Sequence, residues 1–272
     1  MGVIIPTNKS VLSFKGLHLY HADRSNCAAR VRLLLEEKGL EWTSHHINLG
    51  KKDNITEEYF GINPKGVVPT LVHDGKVIVE SNDILVYLEE TFPEPGFRDV
   101  PADRQKEIDY WLEQSGDLHL PAIKTHQYYK INAALLPKTE EEEALYKRLQ
   151  KDPDMLAFHG KHSGGKSFTE DDANRARSLL NAIFEEMNQA LSGINWIVGD
   201  RYTLADISWS PTITTLQAGD FDFSPFPEIE RWYSVVSQRP QFEKAVFEWR
   251  RKATYAAGVD PTIPATRQAS AQ

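Results

Sequence analysis

One change of hydrophobic period divides this chain and limits its fold more than any other feature. Up to residue 91 the apolar side chains fall in short alternating runs separated by turn signals. From Ala102 onward they recur mostly at helical spacing, and no convincing strand returns. Alternation marks half-buried strands, and recurrence every three to four residues marks helices. Pro93-Glu94-Pro95-Gly96 breaks the chain where the pattern changes. Two units are expected: a mixed α/β unit over 17–92 and an all-helical unit over 102–255. No internal repeat is visible.

Residues 1–16 read as a polar, poorly patterned lead-in. Leu17-His18-Leu19-Tyr20 alternates and is aromatic, as a short strand does. Ser25 precedes Ala28, Val31, Leu34 and Leu35 at helical spacing, and Gly39 stops that helix. Trp42 to Leu49 predicts a second strand, and Thr56 to Phe60 a helical turn before the Asn63-Pro64-Lys65-Gly66 turn. Val67 to Val72 predicts a third strand, interrupted by Pro69. Asp74-Gly75 supplies the positive φ of a tight hairpin, and Val77 to Val79 returns as a fourth strand. Asn82 to Thr91 predicts a helix with Ile84, Leu85 and Leu88 inward. The order is β-α-β-α-β-β-α. Helices follow near 103–131, 138–150, 170–191, 204–218, 227–238 and 240–252, and Lys151 to Ser167 reads as a loop.

Composition removes several classes of function. Lys+Arg total 31 against 39 Asp+Glu, a net charge of −8, which disfavours a general nucleic-acid binder. A single cysteine excludes an intramolecular disulfide, a Cys-only zinc cluster and any two-cysteine redox motif, and suits a reducing cytoplasm. No apolar run approaches the roughly 18 residues of a membrane span. MGVIIPTNKS carries no charged segment ahead of a long apolar stretch, so no secretory signal is expected. The nine histidines are scattered apart from His45-His46, whose side chains face opposite sides of a strand; no metal site is expected. Gly160 to Ser167 matches the phosphate-loop expression GxxxxGK[ST], but the residues before it are not strand-like, as that loop requires.

Three features carry candidate chemistry. Pro69 lies inside an apolar strand-like run, where it removes a ladder donor. It marks either an edge position or a cis Val68-Pro69 bond that turns the Val68 backbone toward a ligand lying alongside like an added strand. Glu80-Ser81 opens a helix. Ser81 is an N-cap candidate, and a helix start also offers amides to a carboxylate while Glu80 meets an ammonium. Ser25-Asn26-Cys27 lies between strand one and helix one. Ser25 can serve only as a cap and Cys27 only as a half-buried thiol, but the start of a helix also stabilises thiolates.

These words resemble the cytosolic glutathione transferases. SNCAARVRLLLEEKG (25–39), NPKGVVPTL (63–71) and VIVESNDILVYLEE (77–90) match the thioredoxin-like half, and WIVGDRYTLADI (196–207) matches the capping-box segment of the helical half. The resemblance implies the glutathione transferase fold and glutathione as co-substrate. Ser25 would hydrogen-bond its sulfur, Val68 beside a cis Pro69 would pair with its cysteinyl backbone, and Glu80 and Ser81 would hold its γ-glutamyl end. Lys51 or Lys52 would reach its glycine carboxylate. Val67 stands where many members carry Gln or Lys, so one polar contact is missing. Tyr20 matches the strand tyrosine of serine-type enzymes and not the catalytic tyrosine of other classes.

Ser-x-Cys is shared with the zeta class and with tetrachlorohydroquinone dehalogenases; by that resemblance a catalytic Cys27 would attack the sulfur of a glutathionyl conjugate, forming a mixed disulfide with glutathione as the reduced product leaves. The long segment 132–172 and the phrases INPKG, HDGKV and YLEETFPE resemble the β-aryl-etherase and dehalogenase branch. The implied function is attack of a glutathione thiolate on an aromatic-derived electrophile, by β-aryl-ether cleavage or dehalogenation. Trp111, His119, His126, Tyr128 and Tyr129 are candidates for lining the second substrate's pocket, each with a core or surface role as the plain alternative. The family pattern implies a homodimer or related heterodimer. The rival readings are a zeta-like cis–trans isomerase and a non-catalytic binding module.

Overall fold

A computed structural model describes residues 2–131, 138–161 and 167–253. Its sheet comprises β1 (Val3–Ile4), β2 (Leu17–His21), β3 (Trp42–His46), β4 (Thr70–His73) and β5 (Lys76–Val79), in the order β1-β5-β4-β2-β3. β2 and β3 are parallel and joined through α1 (Asn26–Glu37); β4 runs antiparallel to both β2 and β5. α2 (Glu57–Ile62) precedes β4 and α3 (Ser81–Thr91) follows β5. This is the expected thioredoxin-like half. Its sheet is covered on both faces. Leu19, Leu71 and Ile78 pack with α1 and α3, while Val72, Val77 and Val79 pack with Tyr59 and Ile62 of α2.

Local chemistry sets these boundaries. Val31, Leu34 and Leu35 of α1 are completely buried. Gly39 ends that helix at φ +64°, where a side chain is strained, and Leu40 N–H returns to Leu35 O at 3.0 Å. Asp74 and Gly75 both take positive φ, the backbone of a two-residue hairpin.

The helical half contains α4 (Ala102–Asp117), α5 (Thr125–Ile131), α6 (Glu140–Leu149), α7 (Pro153–Gly160), α8 (Glu170–Ala190), α9 (Leu204–Ala218), α10 (Pro227–Val236), α11 (Pro240–Phe242) and α12 (Glu248–Lys252). Among the described residues no helix is long and apolar enough to cross a membrane. One continuous core joins the halves. α1 packs on α9, Trp209 Nε1 donates to Trp111 O at 2.8 Å, and Arg239 grips Glu37 through two bonds of 2.7 and 2.6 Å.

Five expectations require correction. The third strand begins at Thr70, three residues after Val67, because Pro69 has no donor to give the ladder. The lead-in is structured: β1 pairs with β5 and a 3-10 turn, Lys9–Ser13, buries Val11. A two-residue strand is too short to show alternation, and its partner lies far away in sequence. The second strand ends at His46, three residues before Leu49, because Asn48 caps a 3-10 turn over Leu49–Lys51. The helix expected over 103–131 is interrupted by a π-helical turn, His119–Lys124, which contains Pro121. α7 occupies part of the expected 151–167 loop. Asp152 caps it by accepting from Asp154 and Met155 N–H, and Pro153 takes the first helical position, where its missing N–H does no harm. Most of the phosphate-loop match, at 162–166, lies outside the described residues.

Candidate active site

The C-terminal end of β2 leads through Ala22 to Arg24 into Ser25, the N-cap of α1. Ala28 N–H donates to Ser25 Oγ at 3.1 Å. Capping uses one acceptor lone pair and leaves the hydroxyl proton available, so a capping serine can still donate to a ligand. Asn26 is instead turned inward, with Nδ2 on Thr212 Oγ1 of α9 at 3.2 Å. Cys27 is half-buried. Its Sγ lies 3.6 Å from His119 Nδ1 and 3.5 Å from Nε2. The sulfur is thus within hydrogen-bonding reach of both ring nitrogens, the donor and acceptor roles set by the tautomer. His119 opens the π turn between α4 and α5, so the helical half brings an imidazole to the first helix start. Burial, reinforced by the Lys124 and Arg30 cations, holds its pKa well below the ordinary histidine range. The ring is therefore neutral at neutral pH, although part of its surface remains exposed.

The second wall comes from the turn before β4 and the end of β5. The Val68-Pro69 peptide is cis. Asn63 Nδ2 and Tyr59 OH both donate to Val67 O, at 2.9 and 2.8 Å. No hydrogen bond to Val68 occurs among the described residues, so its backbone groups remain unpaired. An extended peptide alongside would satisfy them. Glu80 takes φ +65°, a strained conformation for a non-glycine residue. Its carboxylate meets Lys65 Nζ at 2.9 Å, and Lys65 also reaches Asp152 at 3.6 Å. Ser81 is the first residue of α3 and is buried. Lys51 closes the 3-10 turn exposed to solvent, and Lys52 follows in the left-handed region at φ +64°.

Arg30 lies beneath these groups, 1 % exposed. It occurs one turn after Cys27 on α1, so both project from the same side of that helix. One terminal nitrogen donates to Ser81 Oγ (3.4 Å), Asn82 Oδ1 (3.0 Å) and Ser115 Oγ (3.2 Å), and the other to Thr212 Oγ1 (3.2 Å). Burial lowers its pKa, and the Cys27 thiol, when ionised, opposes that shift.

The five pocket candidates separate. His119 reaches Cys27. Tyr128 instead packs in an aromatic group with Phe158 of α7, at 5.5 Å between ring centres, and Phe168, at 6.1 Å. Trp111 is a core residue, 4 % exposed and edge-on to Trp209, because its position on α4 faces α9. His126 is equally enclosed, with Nε2–H donating to Gly219 O at 2.8 Å. His126 and Tyr129 line a different cavity of about 480 Å³ with Arg177, Asp220 and Phe221; none of Ser25, Cys27, Val68 or Ser81 belongs to its wall. Sequence reasoning missed Arg30 and Lys65. Arg30 falls at helical spacing among buried leucines, a position a charged side chain seldom takes without a local partner. That anomaly was the available signal.

Both halves of the chain are similar to known proteins. The profile of the glutathione S-transferase N-terminal domain matches residues 19–96, and that of the C-terminal domain matches 133–240. The zeta-class glutathione S-transferase of Euphorbia esula is 32% identical over 232 residues, covering 85% of this chain and 89% of its own. The protein called glutathione S-transferase TCHQD in Arabidopsis thaliana is 24% identical over 252 residues, covering 88% and 94%. The crystal structure of the beta-etherase LigF from Sphingobium sp. strain SYK-6 superposes with a TM-score of 0.74 at 25% identity, over 85% of this chain and 98% of that one.

Proposed function

The chain belongs to the glutathione S-transferase family, with glutathione as its co-substrate, and from that premise we propose that it cleaves β-aryl ethers or removes aryl halide with the glutathione thiolate. The observation that carries this reading is the Ser25 hydroxyl: as cap acceptor it keeps its proton for a sulfur lying at the head of α1. The thiolate attacks the carbon bearing the leaving group, the carbon–sulfur bond forms, and the carbon–oxygen or carbon–halogen bond breaks. The neutral His119 ring beside Cys27 is suited to donate a hydrogen bond to a departing aryloxide. The likeness to a beta-etherase in fold, and the reach of α6 and α7 over the glutathione half, support the aryl-ether branch. Where α6 meets the glutathione half of this chain, Gln150 Nε2 donates to Lys65 O at 2.8 Å and Phe60 meets Tyr146 edge-on.

A zeta-like isomerase is the second reading, favoured by Ser25-Asn26-Cys27 and by the identity to a zeta-class enzyme. A homodimer or related heterodimer in the cytoplasm completes the proposal. The test is purified protein with glutathione against an aryl ether, a chlorinated hydroquinone and maleylacetone. Phenol release from the ether supports the main reading, and turnover of maleylacetone alone replaces it with the isomerase.

Glutathione would displace Lys65 from Glu80. Both side chains of that ion pair are well exposed, 44% and 53%, and exposed pairs contribute only about 0–1 kcal/mol. The ligand ammonium can take the carboxylate at little cost. Glu80→Ala is expected to raise the calorimetric Kd for glutathione about tenfold, the worth of one charged hydrogen bond. An unchanged Kd removes Glu80 from the site.

A further inference from the structure

Arg30 is a fully buried cation whose hydrogen-bonding partners are all neutral. Its partners are two serines, a threonine and an asparagine, drawn from α3, α4 and α9, and Nε has no partner among the described residues. A buried charge without an opposite charge is costly, and the cost falls when an anion arrives. Two further sources of positive potential converge on the same place: the starts of α1 at Asn26 and of α3 at Ser81. The neutral His119 ring offers no compensating charge. Glu80 caps α3 and Asp83 lies in its first turn, but among the described residues neither hydrogen-bonds Arg30, so the guanidinium itself has no anionic partner.

The geometry also states where the anion belongs. Arg30 donates to Ser81 Oγ, so the serine oxygen is occupied as an acceptor on its inner side. Its single proton then points away from the guanidinium, outward from the start of α3. The stronger bond to Asn82 Oδ1 fixes the same turn, and Asn82 is held further by Nδ2 on Leu112 O at 2.6 Å and Ser115 Oγ at 2.9 Å. The first turn of α3 is thus held from behind by Arg30 and Asn82.

We propose that Arg30 is a positioning residue for an α-amino-acid carboxylate at the start of α3, orienting Ser81 as a donor and supplying the buried positive charge that this anion neutralises. The inference rests on the reading of glutathione at this site, where the anion is the α-carboxylate of the γ-glutamyl residue. Arg30 does not touch the ligand; it acts through Ser81 and through its field.

The experiment measures calorimetric Kd values for glutathione and for γ-aminobutyryl-cysteinyl-glycine, which lacks that carboxylate, on wild type, Arg30→Met and Arg30→Lys. The expected result is an increase of about tenfold or more in the glutathione Kd for Arg30→Met, with the analogue's Kd nearly unchanged. Arg30→Lys, which keeps the charge but not the fork, is expected to recover part of the difference. Equal weakening of both ligands means that Arg30 only holds the fold and overturns the proposal, as does no weakening of either. If Arg30→Met does not fold, Arg30→Lys is read by the same comparison: selective loss for glutathione supports the assignment and equal loss overturns it. Failure of the wild type to bind glutathione defeats the functional reading itself, an outcome distinct from loss of discrimination.

Discussion

Ser25→Ala is expected to lower glutathione-dependent turnover about 100-fold, the usual loss when one preorganised donor to developing or stored negative charge is removed. The same substitution removes the cap on α1, because Ala28 N–H loses its acceptor. Cap loss costs about 1 kcal/mol of stability and does not by itself reduce turnover at a temperature where the protein stays folded. Ser25→Gly separates the two effects, since glycine costs only a few tenths of a kcal/mol at a cap. Both variants are expected to lose turnover alike, while only the alanine variant melts measurably lower. Initial rates at saturating glutathione, read with thermal melts, check this. If Ser25→Gly retains wild-type turnover, the hydroxyl is a cap and nothing more.

The largest expected loss of stability lies far from the sulfur, at Asp206. Its carboxylate is completely buried in the first turn of α9 and accepts four hydrogen bonds. Ile197 N–H and Trp232 Nε1 donate to one oxygen at 3.0 and 2.8 Å, and Thr203 N–H and Oγ1 donate to the other at 2.8 and 3.2 Å. Asp206→Ala leaves two backbone amides and an indole without an acceptor. A destabilisation of about 3–5 kcal/mol is expected, and a Tm loss on the order of 10 °C. The charge has its own signature. Burial raises the Asp206 pKa to about 6, against the opposing effect of its donors. The folded protein then binds a proton more tightly than the unfolded chain between about pH 4 and 6. This carboxyl therefore contributes stability that is fully present below about pH 4 and is lost as pH rises through 6. Asp206→Asn, which cannot titrate, is expected to lack that component when Tm is followed across the window. Identical pH slopes for wild type and variant would show that the carboxyl does not titrate there.

The fold was legible wherever a local rule was strong enough to act alone. Alternation in Leu17 to Tyr20, the Asp74-Gly75 hairpin and the Thr203–Asp206 capping box all follow from nearby residues, and the structure has each of them. The misses share a different cause. β1 exists only because Val3 and Ile4 find β5 more than seventy residues later. The interruption at His119–Lys124 depends on how α4 and α5 pack, which Pro121 hinted at without locating. α7 is signalled by Asp152-Pro153, a capping pair that sits among glycines and polar residues typical of a loop.

The candidate site shows the same division. Ser25, Val68, Pro69, Glu80 and Ser81 were readable because each is a local exception: a cap, a proline in a strand-like run, a helix start. The second wall was not readable, because aromatic and histidine residues on α4 and α5 look alike until packing assigns them. Trp111 and His126 went inward, Tyr129 turned to another cavity, and His119 alone among the five was brought to Cys27. Arg30 was overlooked for the opposite reason. Its place among apolar helix positions is a signal of burial, but only the structure shows that its partners are neutral.

The most direct test of the account follows the thiolate absorbance of glutathione bound to the wild-type protein and to Ser25→Gly as pH is raised. The bound thiol of the wild type is expected to ionise well below the roughly 8.5 of a free thiol, and this depression is expected largely to disappear when the hydroxyl is removed. A bound thiol that titrates as it does free in solution, or identically in the two proteins, would contradict it.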